Sequence, residues 1–445
     1  MITLLITALL SSATITIKIT GAPPFPPLPD SIEVTDEQIA YIRDETLNWY
    51  LQTGYPFAAI AMYFSAADTL TINTVPGRHA GLEEIRFPDS VRTTRTILLR
   101  EMTLRPGDFY TPEPIQEWLT ALRRYPFIES VGPVSVALGS GGNITLLVPI
   151  KEAPVGWFSG DLDFSSSGGF TGGGEIVFTS IFGTGRRLEL AASAVEWGGV
   201  DAAGLYREPW ILGSPLSVQL EIEQQVPDSG SVIREWSNSV ILGLGNIDVS
   251  GGGGTWQSWP VNQPEESYRY GSAGIAVDFT GSTTQGREGF SGNLTTEAGS
   301  AAGPDSTYLL TRAETKMNYT KFKGMFGISL TAKAGGIISG DWLPSMVTRL
   351  GGYGTLRGYV KDSWRAGAWG IASPEISIGE TATRVYVFSD IGVLDTADNG
   401  MQYPVSAGLG LRGTTGGLRF DAGSGFPINK GPGSARFYLS AVISL

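Results

Sequence analysis

The stretch RVYVFSDIGV, residues 384–393, decides the fold because its side chains alternate in character. Val385 and Val387 fall on one side of an extended chain, whereas Arg384 and Asp390 fall on the other. Successive side chains of a β-strand point to opposite faces. The pattern therefore predicts a strand with one aliphatic face and one polar face.

Three further segments repeat this alternation, namely SVQLEIEQQ (217–225), ASPEISI (372–378) and ARFYLSAVISL (435–445). A soluble β-sandwich would also alternate. The charges and glycines on the polar faces, the length of the strands and their number favour a barrel with a wet lumen. We count about sixteen candidate strands, an even number as in single-chain bacterial barrels. The predicted fold class is a transmembrane antiparallel β-barrel preceded by N-terminal α/β modules.

Composition changes at residue 153, which sets the start of the predicted barrel at 154–445. Of the 60 glycines, 51 follow this point, as do nine of the eleven tryptophans. Before it, the pattern is mixed α/β. The segment 81–153 predicts strand, helix, helix, strand, strand, and 36–80 looks like the second half of another copy. Thr35, followed by two acidic residues, predicts the start of a helix.

The first 35 residues divide into two predicted segments. Residues 1–20 are predicted to be an export signal, because the first seventeen carry no charge and lie where such a signal belongs. The alternative is an N-terminal strand. Residues 21–35 are rich in proline and are predicted to be a linker.

Two scarce residue types exclude most enzyme chemistry. The chain has one histidine, His79, and no cysteine. It cannot build a Cys/His zinc site or a thiol nucleophile, nor a Ser-His-Asp relay away from His79. A formal net charge of −12 argues against nucleic acid, which needs concentrated basic side chains. We expect no enzyme activity, no cofactor, no metal and no nucleic-acid partner.

The segment LGGYGTLRGYVKDSW, residues 350–364, resembles the lumen-inserted loop of the BamA/TamA superfamily of outer-membrane assembly barrels. The residues that carry this resemblance are a glycine pair and an Arg-Gly-aromatic triplet: Gly351, Gly352, Arg357, Gly358 and Tyr359. They precede about five predicted strands, including SPEISIG and VYVFSDIGVL, which resemble the acidic strands that follow this loop in the superfamily.

The N-terminal half carries a second, independent resemblance. LRPGDFYTPEPIQEWLTALRRYPFIESVGPV, residues 104–134, resembles the periplasmic POTRA module of the same superfamily. The resemblance covers residues 36–445, with 36–80 as a partial first module and 81–153 as a second. Two departures stand out: the first module lacks an opening strand and helix, and the chain ends in Leu445 rather than in an aromatic residue.

The positive charge of Arg357 needs a partner if the loop lies in the lumen. Inside a barrel, a guanidinium must find a carboxylate or remain hydrated, and its planar fork suits bidentate pairing. Asp390 and Glu375 lie on the polar parity of their strands and are the predicted partners. Without the resemblance, Arg357 in a solvated extracellular loop is an open alternative.

The resemblance implies a bacterial-type outer-membrane location with POTRA modules in the periplasm. The implied function is insertion of barrel proteins or translocation of a polypeptide. POTRA edges would receive unfolded clients, and a seam between the first and last strands, marked by Trp157, Phe158, Phe437 and Leu439, would open. Expected partners are outer-membrane or secreted polypeptides, outer-membrane lipid and periplasmic or lipoprotein partners. A two-partner secretion transporter and a passive porin are the alternatives.

Overall fold

A computed structural model describes residues 14–33, 35–139, 142–165, 169–194, 199–226, 230–283, 286–303, 306–341, 343–380, 382–396 and 399–445. The chain forms two compact units, 1–153 and 154–445. Among the described residues, no helix is long and apolar enough to cross a bilayer.

The first module is a four-stranded sheet with one helix among the residues described. Its elements are β1 (Thr14–Gly21), β2 (Ser31–Glu33), α1 (Asp36–Gln52), β3 (Ala59–Ala66) and β4 (Thr69–Val75). The strand order is β2-β1-β4-β3, with β1 parallel to β4. Helix α1 begins where predicted, because the hydroxyl of Thr35 accepts a hydrogen bond from the Gln38 amide at 3.1 Å and so caps a free N–H group.

The first module has an opening strand, so the expectation that it lacks one is wrong. Strand β1 takes up residues 14–20 of the predicted export signal and the first residue of the predicted linker. Its partner β4 follows about fifty residues later. Ile15 and Ile72 are buried together in the module core. The rest of the signal prediction, residues 1–13, lies outside the described residues. The segment predicted as a linker, 21–35, contributes the edge strand β2.

The second module has the predicted order of strand, helix, helix, strand, strand. Its elements are β5 (Leu82–Arg86), α2 (Arg95–Leu99), α3 (Pro112–Leu122), β6 (Ile128–Val131), β7 (Ser135–Leu138), β8 (Ile144–Leu147) and β9 (Ile150–Glu152). Strands β6 and β7 are two parts of one arm of a hairpin, and β8 and β9 are the other. The indole of Trp118 is buried in the core and donates to the Leu98 carbonyl at 2.7 Å.

Glu152 ties the end of this module to the segment before α2. Its carboxylate accepts hydrogen bonds from the backbone amides of Arg92 and Thr93, from the Thr93 hydroxyl and from the Arg92 guanidinium. Burial opposes ionisation, but these four donors outweigh it and hold the pKa of Glu152 below its usual range. The carboxylate is therefore stabilised in its charged form.

The second unit is a closed antiparallel barrel. Its strands are β10 (Gly156–Ser165), β11 (Gly169–Phe178), β12 (Arg187–Ala194), β13 (Val200–Glu208), β14 (Leu216–Gln225), β15 (Val232–Leu244), β16 (Ile247–Trp259), β17 (Glu266–Thr283), β18 (Gly286–Ala302), β19 (Thr307–Lys323), β20 (Phe326–Ser339), β21 (Thr348–Leu350), β22 (Trp364–Glu380), β23 (Thr383–Thr396), β24 (Gly400–Gln402), β25 (Val405–Thr415), β26 (Leu418–Pro427) and β27 (Arg436–Ser444). Strands β21 and β24 are short additions, so the described wall has the predicted sixteen strands.

The predicted faces of the strands are confirmed. Val387 and Leu439 are exposed on the outside of the wall, whereas Glu375, Arg384 and Asp390 are buried inside. The alternation places aliphatic side chains toward lipid and polar ones toward the lumen. The fold class predicted from the sequence is therefore correct.

Candidate functional site: the lumen loop

The loop that follows β20 turns back into the lumen and rejoins the wall at β22. Its backbone bends at Gly351 and Gly352, both of which have positive φ. The Gly351 amide donates to the Thr355 hydroxyl at 2.8 Å, and the Thr355 amide donates to the Gly352 carbonyl at 3.2 Å. The glycine pair thus starts a tight turn that carries the chain toward Arg357.

Arg357 and Asp390 form the central contact of the site. The Arg357 Nη2 atom lies 2.6 Å from Asp390 Oδ1, and Nε lies 3.0 Å from Oδ2. The Arg357 backbone amide also donates to Oδ2 at 2.8 Å. Asp390 is completely buried. This single carboxylate fixes both the side chain and the backbone of the loop.

Two further groups on the wall surround the guanidinium. Its Cζ atom lies 3.5 Å from the centre of the Phe388 ring, a cation–π arrangement. Its Nη1 atom lies 3.7 Å from Glu375 Oε2. Arg412, on β25, pairs with Glu375 at 2.8 Å and also lies 3.4 Å from Asp421. Both predicted acids therefore lie beside Arg357, and Glu375 is shared with Arg412.

Gly358 lets the loop lie directly against the wall. It has a φ of +91°, and a Cβ atom built there would come within 2.6 Å of the Phe426 backbone nitrogen. An L-residue is strained at this φ, and the space is already filled. Only glycine fits without moving β26.

Tyr359 and Leu356 attach the loop on either side of this contact. The Tyr359 hydroxyl donates to the Val405 carbonyl at 3.2 Å, and its ring meets Trp364 edge to face. Leu356 is fully buried in an apolar cluster with Leu394. The loop is therefore held by charge, by backbone contact and by apolar packing.

A network of tyrosines connects the loop to the last strand. The Tyr353 hydroxyl donates to Asp421 at 3.2 Å, and its ring lies 4.7 Å from that of Tyr438, on β27. Tyr386 also donates to Asp421, and its hydroxyl lies 2.9 Å from the Tyr438 hydroxyl. The loop thus contacts the strand that closes the barrel.

Glycines on β25 and β26 make room for these rings. A Cβ atom at Gly408 would meet the Phe388 ring, one at Gly410 the Tyr386 ring, and one at Gly423 the Tyr438 ring, each at 2.4 Å or less. Reasoning from the sequence missed Tyr386, Tyr438, Asp421, Arg412 and these glycines. The available signal was the alternation of glycines in AGLGLRG and AGSGF, whose parity places them on the lumen face.

The seam residues lie where the barrel closes. Strand β10 pairs with β27 from Trp157 opposite Ser444 to Phe164 opposite Phe437. Phe158 and Leu439 are exposed on the outer face of these two strands. The first and last strands are thus hydrogen-bonded to each other over eight residues.

Three features define the class of protein: a wall of sixteen strands in the described residues, POTRA-like α/β modules before it in the chain, and a loop held inside the lumen. The protein is therefore a β-barrel of the outer-membrane type with POTRA-like modules.

Comparisons with known proteins show which barrels of this class the chain is similar to. No family model matches the chain. A stretch of 119 residues, 27% of the chain, is 29% identical to the outer membrane protein assembly factor BamA of Neorickettsia risticii, but it spans only 16% of that protein's length.

Solved structures match nearly the whole chain. BamA of Haemophilus ducreyi lacking POTRA domains 1–3 has a TM-score of 0.62 at 16% identity, covering 97% of this chain and all of that one. CdiB of Acinetobacter baumannii has a TM-score of 0.57 at 15% identity, covering 98% and 90%. CdiB of Escherichia coli has a TM-score of 0.58 at 15% identity, covering 97% and 90%. These comparisons bear out the resemblance to the BamA/TamA superfamily, and the chain has the same barrel fold as BamA and CdiB.

Proposed function

We propose that this protein inserts β-barrel proteins into the bacterial outer membrane without enzymatic chemistry. The observation that carries the proposal is that the first and last strands, β10 and β27, close the barrel through eight residue pairs, as few as β12 and β13 form and about half the seventeen of β17 and β18. A client strand can add to the edge of either seam strand by β-augmentation once the two separate.

The region around the seam supports the same role. Over the described residues, strand β11 pairs with β12 at six positions, and it contains three consecutive glycines, Gly172 to Gly174. Glycine weakens a strand interior, because it adds backbone entropy to the open state and no side-chain packing to the closed one. In its described residues, the wall beside the seam is therefore paired over fewer residues than the wall around β17 and β18.

The lumen loop argues against a passive porin. Residues of this loop pack against β22, β23, β26 and β27 from inside. Leu343 and Met346 are buried among lumen-facing aromatic residues. A porin would instead keep a water-filled passage through its lumen. We propose that the loop supports the wall beside the seam while the seam opens.

The N-terminal modules would receive the client in the periplasm. Strand β2 lies at the edge of its sheet and spans three residues, Ser31–Glu33, so it offers a short template for an unfolded chain. Unfolded outer-membrane polypeptides are the proposed clients, and periplasmic or lipoprotein factors the proposed partners.

A reversible lock across the seam tests insertion. The chain has no native cysteine, so Gly160→Cys with Ala441→Cys introduces a single pair. These residues are opposite each other in β10 and β27, and partners in antiparallel strands lie about 4.5–5.5 Å apart between Cα atoms, within disulfide range. Ala192→Cys with Ala202→Cys, opposite each other in β12 and β13, is the matched control.

The assay measures folding of a urea-denatured small outer-membrane barrel into vesicles that hold the protein, followed by heat-modifiable gel mobility. We expect the seam lock to abolish the stimulated folding, a reductant to restore it, and the control lock to leave it unchanged. Full activity of the oxidised seam variant would refute insertion through the seam.

Export of a dedicated polypeptide is the second candidate, favoured by the CdiB structures that cover the chain. A polypeptide that crosses the membrane through the lumen would still be exported when the disulfide joins β10 to β27. Depletion of the protein followed by outer-membrane proteomics separates the two roles, because broad loss of barrels indicates insertion and loss of one exported protein indicates secretion.

A further inference from the structure

Two turns on one edge of the barrel differ from their neighbours. Residues 179–186 connect β11 to β12, and residues 209–215 connect β13 to β14. Both lie at the edge where β10 begins. Other turns at this edge are tight, such as Gly245–Asn246 and Gly416–Gly417. The two longer turns therefore have room for a function of their own.

Each long turn holds a fully exposed, bulky apolar residue in a strained backbone conformation, and in the second turn the half-buried Trp210 is strained as well. Phe182 has a φ of +51° and Leu212 a φ of +55°, in the left-handed region that disfavours residues with a Cβ atom. The side chains are 91% and 99% exposed. The fold thus keeps a strained backbone at the points where it projects an apolar side chain away from the protein, and such strain marks positions with a function.

The two turns are built in the same way. In the first, the Thr184 hydroxyl donates to the Ile181 carbonyl at 2.6 Å. In the second, the Ser214 hydroxyl donates to the Ile211 carbonyl at 2.8 Å. A glycine of positive φ, Gly183 or Gly213, separates the apolar tip from the hydroxyl residue. The repeated geometry shows that the projection of the tip is specified by the sequence.

The strands that carry the turns place them close to the membrane interface. Tyr206 pairs with Leu188 on one side and Leu220 on the other, so it lies on the apolar outer face. Its hydroxyl donates to Glu208, which pairs with Arg186 at 2.8 Å. Tyrosine and charged groups at the end of an apolar face mark the boundary between lipid and water.

The height of the wall leads to the same placement. Within the described residues, strands β11 to β14 span eight to ten residues, and a tilted strand needs about 9–11 to cross a bilayer. The strands add little beyond the hydrocarbon layer, so the residues just past their ends meet the headgroups. The tips are also separate points rather than a continuous groove, which suits lipid better than a folded partner.

We propose that Phe182 and Leu212 are lipid anchors that insert into the leaflet on the edge of the barrel where β10 begins. The boundary between headgroups and acyl chains accepts apolar side chains to a depth of about 5–10 Å. Two anchors on adjacent hairpins hold this part of the wall at a fixed depth. The proposal depends on a membrane-embedded barrel and not on insertion activity.

Site-directed spin labelling tests the proposal, since the chain has no native cysteine. Phe182→Cys and Leu212→Cys are labelled separately in full-length protein reconstituted into phosphatidylcholine and phosphatidylglycerol vesicles. Asn246→Cys, in a tight polar turn of the same edge, is the matched control. Accessibility to oxygen, which concentrates in lipid, is compared with accessibility to a water-soluble nickel chelate.

We expect the labels at both tips to be several-fold less accessible to the nickel chelate than the label at Asn246→Cys, and at least as accessible to oxygen. High nickel accessibility at both tips would place them in water and overturn the proposal. Low accessibility to both reagents would show a protein contact and overturn it as well. The turns are separate sites, so either variant gives an answer if the other does not fold.

Discussion

Replacing Arg357 with alanine should release the lumen loop while leaving the barrel wall folded. The side chain contributes two hydrogen bonds to Asp390 and the contact with Phe388, whereas the third bond to Asp390 comes from the backbone and survives. Charged hydrogen bonds contribute about 1.5–3 kcal/mol each. Restored rotamer freedom offsets about 2 kcal/mol of this.

The contact with Phe388 adds about 2 kcal/mol, as for a desolvated cation–π pair, so the net loss is about 3–6 kcal/mol, close to the range for breaking a buried ion pair. Amide hydrogen exchange of residues 356–359 should accelerate by about two to four powers of ten, at tenfold per 1.4 kcal/mol. Heat-modifiable gel mobility should be unchanged, because the strand ladder does not depend on this side chain.

Arg287→Ala is the control, because Arg287 forms an exposed pair with Asp278 at 3.1 Å and such pairs contribute less than about 1 kcal/mol. Combining Arg357→Asp with Asp390→Arg should recover part of the protection by restoring opposite charges. If Arg357→Ala keeps its loop amides as protected as in the unmodified protein, the ion pair does not hold the loop and the reasoning is wrong.

Three further changes test separate parts of the structure. Gly358→Ala should displace the loop from Phe426 and speed exchange there, whereas Gly431→Ala, at a positive φ in open space, should leave loop exchange unchanged. Glu152→Gln should reduce the unfolding free energy of the second module at pH 7 by about 1–3 kcal/mol. The midpoint of its urea unfolding curve should fall accordingly. Because the pKa of Glu152 is lowered on folding, its stabilisation is present above the ordinary glutamate pKa and is lost as pH falls through the folded value. The difference in unfolding free energy between the unmodified protein and Glu152→Gln should therefore shrink as the pH is lowered. Amide hydrogen exchange within residues 82–152 measures this difference. Deleting 31–153 should leave a barrel that folds in detergent but no longer stimulates client folding, and lack of heat-modifiable mobility would show that the units are not independent.

The sequence correctly predicted which side chains of a strand face the lipid and which face the lumen, because this depends only on local alternation. The outward positions of Val387 and Leu439 follow from a period of two, and so do the inward positions of Glu375 and Asp390. Opening strand β1 was missed because its partner β4 lies far along the chain and its apolar residues suit an export signal as well as a strand. A parallel pairing across a long connection leaves no local signal.

The location of Arg357 needed the resemblance, since composition alone also allowed a solvated loop. The tyrosine network needed the register between strands. Tyr386 meets Tyr438 only because β23, β25, β26 and β27 are aligned to within a residue. A shift of one residue would turn these rings to the lipid face, and no single segment fixes that alignment.

Asp421 binds Tyr353 of the loop and Tyr386 of the wall, and Tyr386 in turn contacts Tyr438 on β27. These shared hydrogen bonds make the position of the loop and the pairing of the last strand thermodynamically linked. If release of the loop makes separation of β10 and β27 more favourable by some coupling free energy, the converse also holds. A partner that stabilises the separated strands then destabilises the bound loop by the same free energy. Loop exchange measured with and without a bound client would give that energy directly, because the linkage is reciprocal.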